Sequence, residues 1–193
     1  ALRAHCGHLS ELSDRLPQAG LTVDCQAPPR ALPKAVLFDL DGTLIDSAPD
    51  LASAANDLRA DHGLPPLPYA HYRPLVGSGG RGMVGVAFGV KPGDDRFEAL
   101  KHAFLLHYER CMLNATQVFA LVAPVLDALD AAGCPWGIVT NKAMRYAEPV
   151  VAGLGLRHRA GVLIGGDSTP HIKPHPAPLL EAARCNGPEL MHC

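Results

Sequence analysis

The chain is poor in the features that mark membrane, secreted and nucleic-acid-binding proteins. No apolar stretch in its 193 residues reaches membrane-spanning length, and the N-terminus lacks the basic, apolar and small-residue zones of a signal peptide. The formal net charge is -2, with no long basic run and no aromatic stacking motif. We therefore expect no nucleic acid and no membrane among its partners.

The cysteines lack the spacing of a metal or redox motif. Six are scattered along the chain with no CxxC pair, at Cys6, Cys25, Cys111, Cys134, Cys185 and Cys193. Without a secretory signal, free thiols in a reducing compartment are the better interpretation. The sequence thus predicts a cytoplasmic protein.

The stretch from Ala35 to Leu44, AVLFDLDGTL, is the most informative part of the chain. Its apolar run does not alternate with polar residues, which predicts a parallel strand buried on both faces. Asp39 and Asp41 follow this run, at the strand end where open α/β sheets bind ligands, and residues two apart point the same way. Two carboxylates in one pocket recruit a cation such as Mg²⁺. The pair favours a metal-assisted nucleophile and acid/base couple; a strand followed by an ordinary Asp-Gly turn is the alternative.

Two further strands are predicted downstream. The second strand is predicted at Trp136–Thr140 and leads into Thr140-Asn141-Lys142. The hydroxyl of Thr140 and the ammonium of Lys142 would suit a phosphate group. The alternative is that Thr140 is an ordinary cap of the next helix. The third strand is expected at 162–166. Strands that alternate with helices in this way predict a doubly wound parallel sheet.

Between the first two strands the pattern is helical. A capping-box-like start at Ser47 opens a helix that Gly63 and Pro65 end. Three more helices are predicted at 69–76, 80–88 and 94–112, and no strand pattern interrupts residues 47–118. This stretch therefore has the pattern of a small all-helical insertion.

A glycine cluster, Gly77-Ser78-Gly79-Gly80-Arg81-Gly82, separates two of these predicted helices. Its backbone N–H groups and Arg81 would suit an anionic substrate at a helix N-terminus. A flexible connecting loop explains the glycines equally well.

A proline-rich segment near the end of the chain carries one lysine. In His171-Ile172-Lys173-Pro174-His175-Pro176-Ala177-Pro178, three prolines stiffen the backbone around Lys173. A stiff backbone would hold the ammonium group of Lys173 in one direction, as a binding site requires. The alternative is that Lys173 is an ordinary surface lysine.

These motifs resemble a known family. The segment 38–47, FDLDGTLIDS, is similar to the first motif of the haloacid dehalogenase-like phosphatases, and SAPDLA at 47–52 to their phosphoglycolate phosphatase-like branch. Lys173-Pro174 is similar to the third motif. The segment 136–142 with YAEP at 146–149, and the stretch 79–88, also resemble N-acetylmuramic acid 6-phosphate phosphatases. The resemblance runs from about Lys34 to Arg184.

The resemblance implies an α/β fold, a doubly wound Rossmann-like parallel sheet with an inserted all-helical cap. The expected divisions are an unassigned extension at 1–33, a core at 34–46 with 119–193, and a cap at 47–118. The implied function is that of a Mg²⁺-dependent phosphomonoester phosphatase acting on a small phosphorylated metabolite, phosphoglycolate or N-acetylmuramic acid 6-phosphate.

By position, Asp39 resembles the family's nucleophile and Asp41 its general acid and base. Thr140 would hydrogen-bond the transferring phosphoryl group, and Lys173 would neutralise its charge. Mg²⁺ would be held by Asp39 and Asp41, the latter through its backbone carbonyl. The expected substrate-binding residues are Thr43, Gly79, Arg81, Asn141 and Lys142.

The family's fourth motif is not found where it is expected. That motif is a strand ending in Gly-Asp with a following acidic residue, which anchors the metal. The residues after Lys173 contain no aspartate, and Asp167 precedes the lysine. A truncated, inactive relative is therefore the alternative to an active phosphatase.

Overall fold

The computed structural model describes residues 33–185; the extension predicted at 1–33 lies outside that range except for Pro33. The strands are β1 (Val36–Phe38), β2 (Ile45–Asp46), β3 (Gln117–Val118), β4 (Trp136–Val139) and β5 (Val162–Ile164). The helices are α1 (Ala48–Asp61), α2 (Tyr69–Tyr72), α3 (Gly79–Phe88), α4 (Phe97–Cys111), α5 (Ala123–Ala131), α6 (Met144–Gly153) and α7 (Ala177–Cys185), with a 3₁₀ helix at Arg73–Ser78.

The sheet that positions the site contains β1, β4 and β5, in the order β1-β4-β5. All its pairings are parallel, with Val36 opposite Trp136 and Gly137 opposite Val162. The three strands therefore end at one edge of the sheet, and the loops that follow them meet there.

Helices cover both faces of this sheet. Leu40, Ile138 and Leu163 pack on one face, in a cluster that also contains Leu126 of α5 and Val150 of α6. The opposite face carries a smaller cluster. It contains Val139, Val162, Ile164 and, from α7, Ala182. This is the predicted α/β arrangement, with β4 and β5 buried. β1, expected to be buried on both faces, is half-buried, because it lies at an edge of the described sheet.

The helices α1 to α4 form a helical segment (residues 48–111) with its own apolar core. Its largest fully buried side chains include Tyr72, Phe104 and Tyr108, and Tyr146 of α6 packs against them. Within the range 33–185, no helix combines the length and apolar character that a membrane crossing requires. The exact boundaries of a cap domain stay a prediction.

Three local predictions for this segment differ from the structure. The helix expected at 69–76 is split into α2 and the 3₁₀ helix, since Pro74 cannot donate a backbone hydrogen bond. The glycines expected in a loop lie partly in α3, whose first turn begins at Gly79 with φ +57°. The stretch 47–118 is not wholly helical, because β3 pairs antiparallel with β2.

The start of α1 also departs from the predicted capping box. Ser47 occupies the N-cap position but makes no side-chain capping bond. Asp50, three residues after Ser47, is buried and accepts hydrogen bonds from the Ala115 N–H and from the N–H and hydroxyl of Thr116. This carboxylate ties the start of the helical segment to the chain that returns to the sheet, beside the β2–β3 pair.

Candidate active site

Three loops at the carboxyl edge of the sheet bring the predicted catalytic residues together. Asp39 and Asp41 follow β1, Thr140 follows β4, and Lys173 lies in the loop between β5 and α7. Gly42 then turns the backbone with φ +77°, a conformation that side chains with a Cβ rarely adopt.

Asp39 forms the open side of the site. The Lys173 ammonium donates to its carboxylate (Nζ–Oδ1 2.8 Å), and the Leu40 N–H donates to the same oxygen at 2.8 Å. The Asp39 side chain is 45% exposed. Lys173 also donates to the Val139 carbonyl at 2.6 Å, which fixes the ammonium at the end of β4. A phosphate ester can therefore reach both a carboxylate and a cation.

Asn141 holds Lys173 in place. Its side-chain oxygen accepts the Lys173 N–H at 2.9 Å, and its amide nitrogen donates to the Lys173 carbonyl at 3.1 Å. Both polar atoms of the Asn141 side-chain amide therefore bind the backbone of Lys173. The structure gives Asn141 a positioning contact where the sequence predicted a substrate contact.

Asp41 forms the closed side of the site. The Lys142 ammonium lies 2.9 and 3.0 Å from its two carboxylate oxygens, and the Ser47 hydroxyl donates to Oδ1 at 2.5 Å. The Asp41 and Lys142 side chains are only 15% and 9% exposed. Lys142, expected to bind substrate phosphate, instead pairs with the carboxylate predicted to be the acid/base group.

The environment of Lys142 is aromatic on its other side. Its Nζ lies 4.8 Å from the ring centroid of Tyr108, which belongs to α4. Burial is the largest single influence on the pKa of Lys142 and lowers it, but the contributions of Asp41 and Tyr108 together outweigh burial. The net pKa is therefore raised and the ammonium stays protonated. The Tyr108 hydroxyl is buried and has no hydrogen-bond partner among the described residues; burial raises its pKa.

Thr140 is buried beneath the loop that it begins. Its hydroxyl oxygen accepts the Lys142 N–H at 3.1 Å, and its own N–H donates to the Ile164 carbonyl at 2.9 Å. The hydroxyl hydrogen remains available to a phosphoryl oxygen. Thr140 does not cap the helix that follows, because α6 has Ala143 at its N-cap and Thr140 accepts from a loop N–H before it. Its hydrogen bond to a substrate stays a prediction.

A cavity of about 330 Å³ opens beside Asp41. It lies between the first loop of the sheet and the 3₁₀ helix, and is lined by Asp41, Gly42, Asp46, Arg73, Val76, Gly77 and Phe119. Neither Gly79 nor Arg81 lines it, and Arg81 is exposed on α3. Thr43 lines a neighbouring cavity of about 480 Å³ with an apolar wall at 119–122.

Arg73 is the basic residue of the first cavity. Its Nη1 donates to Asp46 at 2.7 Å and to the Tyr69 hydroxyl at 2.9 Å. The hydrogen bond to Asp46 raises the pKa of the Arg73 guanidinium. No sequence motif singles out Arg73, because its importance comes from the packing of the 3₁₀ helix against the first loop.

The donor set is compatible with a magnesium ion shared with a substrate. Mg²⁺ is commonly bound by one or two carboxylates together with waters and phosphate oxygens. Asp39 has an exposed carboxylate that fits this chemistry, whereas both carboxylate oxygens of Asp41 are engaged. Among residues 33–185, no cluster of three or more His, Cys, Asp or Glu side chains could hold an ion without such help.

Sequence comparison identifies the family of this site. The profile of the haloacid dehalogenase-like hydrolases matches residues 33–190. The chain belongs to this family. Among these hydrolases it is 46% identical over 161 residues to a phosphoglycolate phosphatase of Xanthomonas campestris, covering 83% of this chain and 72% of that one.

Two further relatives agree with this assignment. An N-acetylmuramic acid 6-phosphate phosphatase of Pseudomonas aeruginosa is 42% identical over 149 residues, which cover 77% of this chain and 66% of that one. A crystal structure described as a predicted phosphoglycolate phosphatase from Haemophilus somnus superposes with a TM-score of 0.67 at 32% identity, over 78% of this chain and 70% of that one. The predicted fold class is confirmed, and the chain is a phosphoric monoester hydrolase of the haloacid dehalogenase-like family.

Proposed function

We propose that Asp39 is the nucleophile of this phosphatase and that Asp41 is its general acid and base. An Asp39 oxygen attacks phosphorus while the ester P–O bond breaks, and Asp41, which enters this step protonated, gives its proton to the leaving oxygen. Water then attacks the aspartyl-phosphate, Asp41 takes the proton of that water, and inorganic phosphate leaves with Asp39 restored.

The Asp39–Lys173 pair carries this proposal. Its 2.8 Å contact sets a cation beside the exposed carboxylate, where negative charge accumulates on the transferring group. Asn141 fixes the lysine backbone, and the Thr140 hydroxyl lies on the neighbouring loop. Lys142 and Ser47 hold the orientation of the Asp41 carboxylate.

Asp39 and the backbone carbonyl of Asp41 would hold Mg²⁺ together with the substrate phosphate. When bound, the ion supplies charge neutralisation between the carboxylate and the phosphoryl oxygens. The non-bridging phosphoryl oxygens and the Asp39 carboxylate are both anionic and would otherwise repel each other. Among the described cations, Lys173 is the one in contact with Asp39 that offsets this repulsion.

Phosphoglycolate is the substrate we favour, and N-acetylmuramic acid 6-phosphate is the second candidate. Relatives with both names match most of the described chain. Cys111, Cys134 and Cys185 are free thiols, which supports a reducing cytoplasm as the compartment.

Phosphate release tests this proposal. We expect the purified chain to release phosphate from one of the two esters with Mg²⁺, and to stop when a chelator removes the ion. Asp39→Asn should abolish turnover while the protein stays folded by circular dichroism. Turnover by Asp39→Asn at the parent rate, or no release from a folded parent chain, would refute the proposal.

A further inference from the structure

The cavity beside Asp41 contains a cation that the phosphatase mechanism does not use. Arg73 faces this cavity from the 3₁₀ helix, together with Val76 and Gly77, while Asp41 and Gly42 line it from the sheet side. Asp41 and Gly42 belong to the loop that follows Asp39, so a substrate that extends from this loop into the cavity meets Arg73.

Two contacts hold the guanidinium at this place. Asp46 and the Tyr69 hydroxyl both accept from Nη1, and the guanidinium carbon lies 6.0 Å from the Tyr69 ring centroid. Among the described residues, Nη2 and Nε have no partner. The arginine side chain is still 47% exposed, so one edge of its donor fork is fixed while the rest is open to a ligand.

An arginine fork matches a carboxylate better than it matches a hydroxyl or an amide. Parallel N–H donors bind the two oxygens of a planar anion, and the fixed geometry limits the entropy lost. Both candidate substrates carry a carboxylate besides their phosphate, in the glycolate of one and in the lactyl ether of the other. A cavity of about 330 Å³ is at the small end of ligand sites, which suits a small metabolite.

We infer that Arg73 is the residue that selects carboxylate-bearing phosphate esters, an inference that rests on the proposed function. The carboxylate of the substrate binds Nη2 and Nε, and Asp46 keeps Nη1 in register. The Asp46 carboxylate also repels any anion that does not reach Nη2 and Nε of Arg73, which increases the preference for carboxylate-bearing esters.

Arg110 supplies a matched control on the same helical segment. It is an exposed arginine in the last turn of α4, and it lines neither of the two cavities. Loss of its charge changes the electrostatic field of this region without removing the fork. A field effect and a contact effect can thus be separated.

The test compares one ester with a carboxylate and one without. Kinetics of phosphoglycolate and of p-nitrophenyl phosphate are measured for the parent, Arg73→Gln, Arg73→Lys and Arg110→Gln. We expect Arg73→Gln to lower kcat/KM for phosphoglycolate about 10- to 100-fold, mainly through KM, because a charge-assisted pair is lost. Turnover of p-nitrophenyl phosphate by Arg73→Gln should change less than about threefold. The loss for Arg73→Lys should be intermediate, and Arg110→Gln should match the parent.

A binding measurement on a variant without turnover tests the role of Arg73 separately from the chemical step. Calorimetric titration of Asp39→Asn with phosphoglycolate should give a Kd that Asp39→Asn/Arg73→Gln weakens by a similar factor. Equal losses for both esters, an unchanged Kd, or an equal effect of Arg110→Gln would overturn the role of Arg73. Absence of p-nitrophenyl phosphate turnover in the parent would instead count against the proposed phosphatase mechanism.

Discussion

The Asp39 side and the Asp41 side of the site each contain an aspartate paired with a lysine, but the two carboxylates differ in exposure. On each side a lysine ammonium meets an aspartate carboxylate, at 2.8 Å for Asp39 and 2.9 Å for Asp41. The Asp39 carboxylate is 45% exposed, whereas that of Asp41 is 15% exposed and also accepts from Ser47. A nucleophile must be reachable, and an acid/base group must be oriented. The two carboxylates have environments suited to these two roles.

The separation arises within three residues of chain. Leu40, between the two aspartates, is fully buried in the core of the sheet. Its carbonyl accepts the N–H groups of Leu44 and Ile45, which closes the backbone around Gly42. The turn carries Asp41 toward Lys142 and α1, while Asp39 stays at the strand end beside Lys173.

Removing the cation on the open side should have the largest effect on the rate. Lys173→Met takes away the positive charge beside Asp39, and we expect kcat to fall roughly 10²- to 10³-fold. Stability should change little, since the pair is partly exposed. The measurement is steady-state kinetics with thermal unfolding as a check, and Lys101→Met on α4 is the surface control. A rate within a few-fold of the parent would mean that the open side does not depend on Lys173.

Removing the cation on the closed side should affect stability as well as rate. Lys142→Met leaves the Asp41 carboxylate mostly buried without its counter-charge, which costs roughly 3 kcal/mol. Denaturant unfolding measures this loss. Asp41→Asn combined with Lys142→Met should recover part of it, because the unpaired charge is gone. A single variant as stable as the parent would contradict the assignment of a closed side.

The Ser47 hydroxyl should contribute less. Ser47→Ala removes a buried donor to Asp41 and should lower the free energy of unfolding by roughly 1–2 kcal/mol, with a modest loss of kcat. Ser53→Ala is the matched control, because Ser53 is exposed on the same helix. The contact would be dispensable for stability if both variants unfolded at the same denaturant concentration.

Tyr108 offers the smallest expected change. Its ring faces the Lys142 ammonium, but its hydroxyl is buried without a described partner. Tyr108→Phe keeps the ring and removes the hydroxyl, so unfolding should shift by less than about 1 kcal/mol, in the stabilising direction. A larger destabilisation would show that the hydroxyl itself supports the closed side.

The sequence determined the parts of this protein that depend on local pattern. The apolar runs before Asp39 and before Thr140 each predict a strand of the sheet. β4 is buried as predicted, whereas β1, at one edge of the described sheet, is only half-buried. Strands of one parallel sheet end at a common edge, so the sequence also predicts that Asp39, Asp41 and Thr140 approach one another. The end of α1 follows from Gly63 and Pro65 for the same local reason.

Only the tertiary structure decided which polar group serves which partner. Lys142 and Asp41 are 101 positions apart, Asn141 and Lys173 are 32 apart, and Arg73 and Asp46 are 27 apart. Lys142 and Lys173, or Arg73 and Arg81, are equivalent by residue type, and no periodicity distinguishes them. Their roles depend on distances of a few ångströms across packed elements, since charge pairing and hydrogen bonding decay over that range.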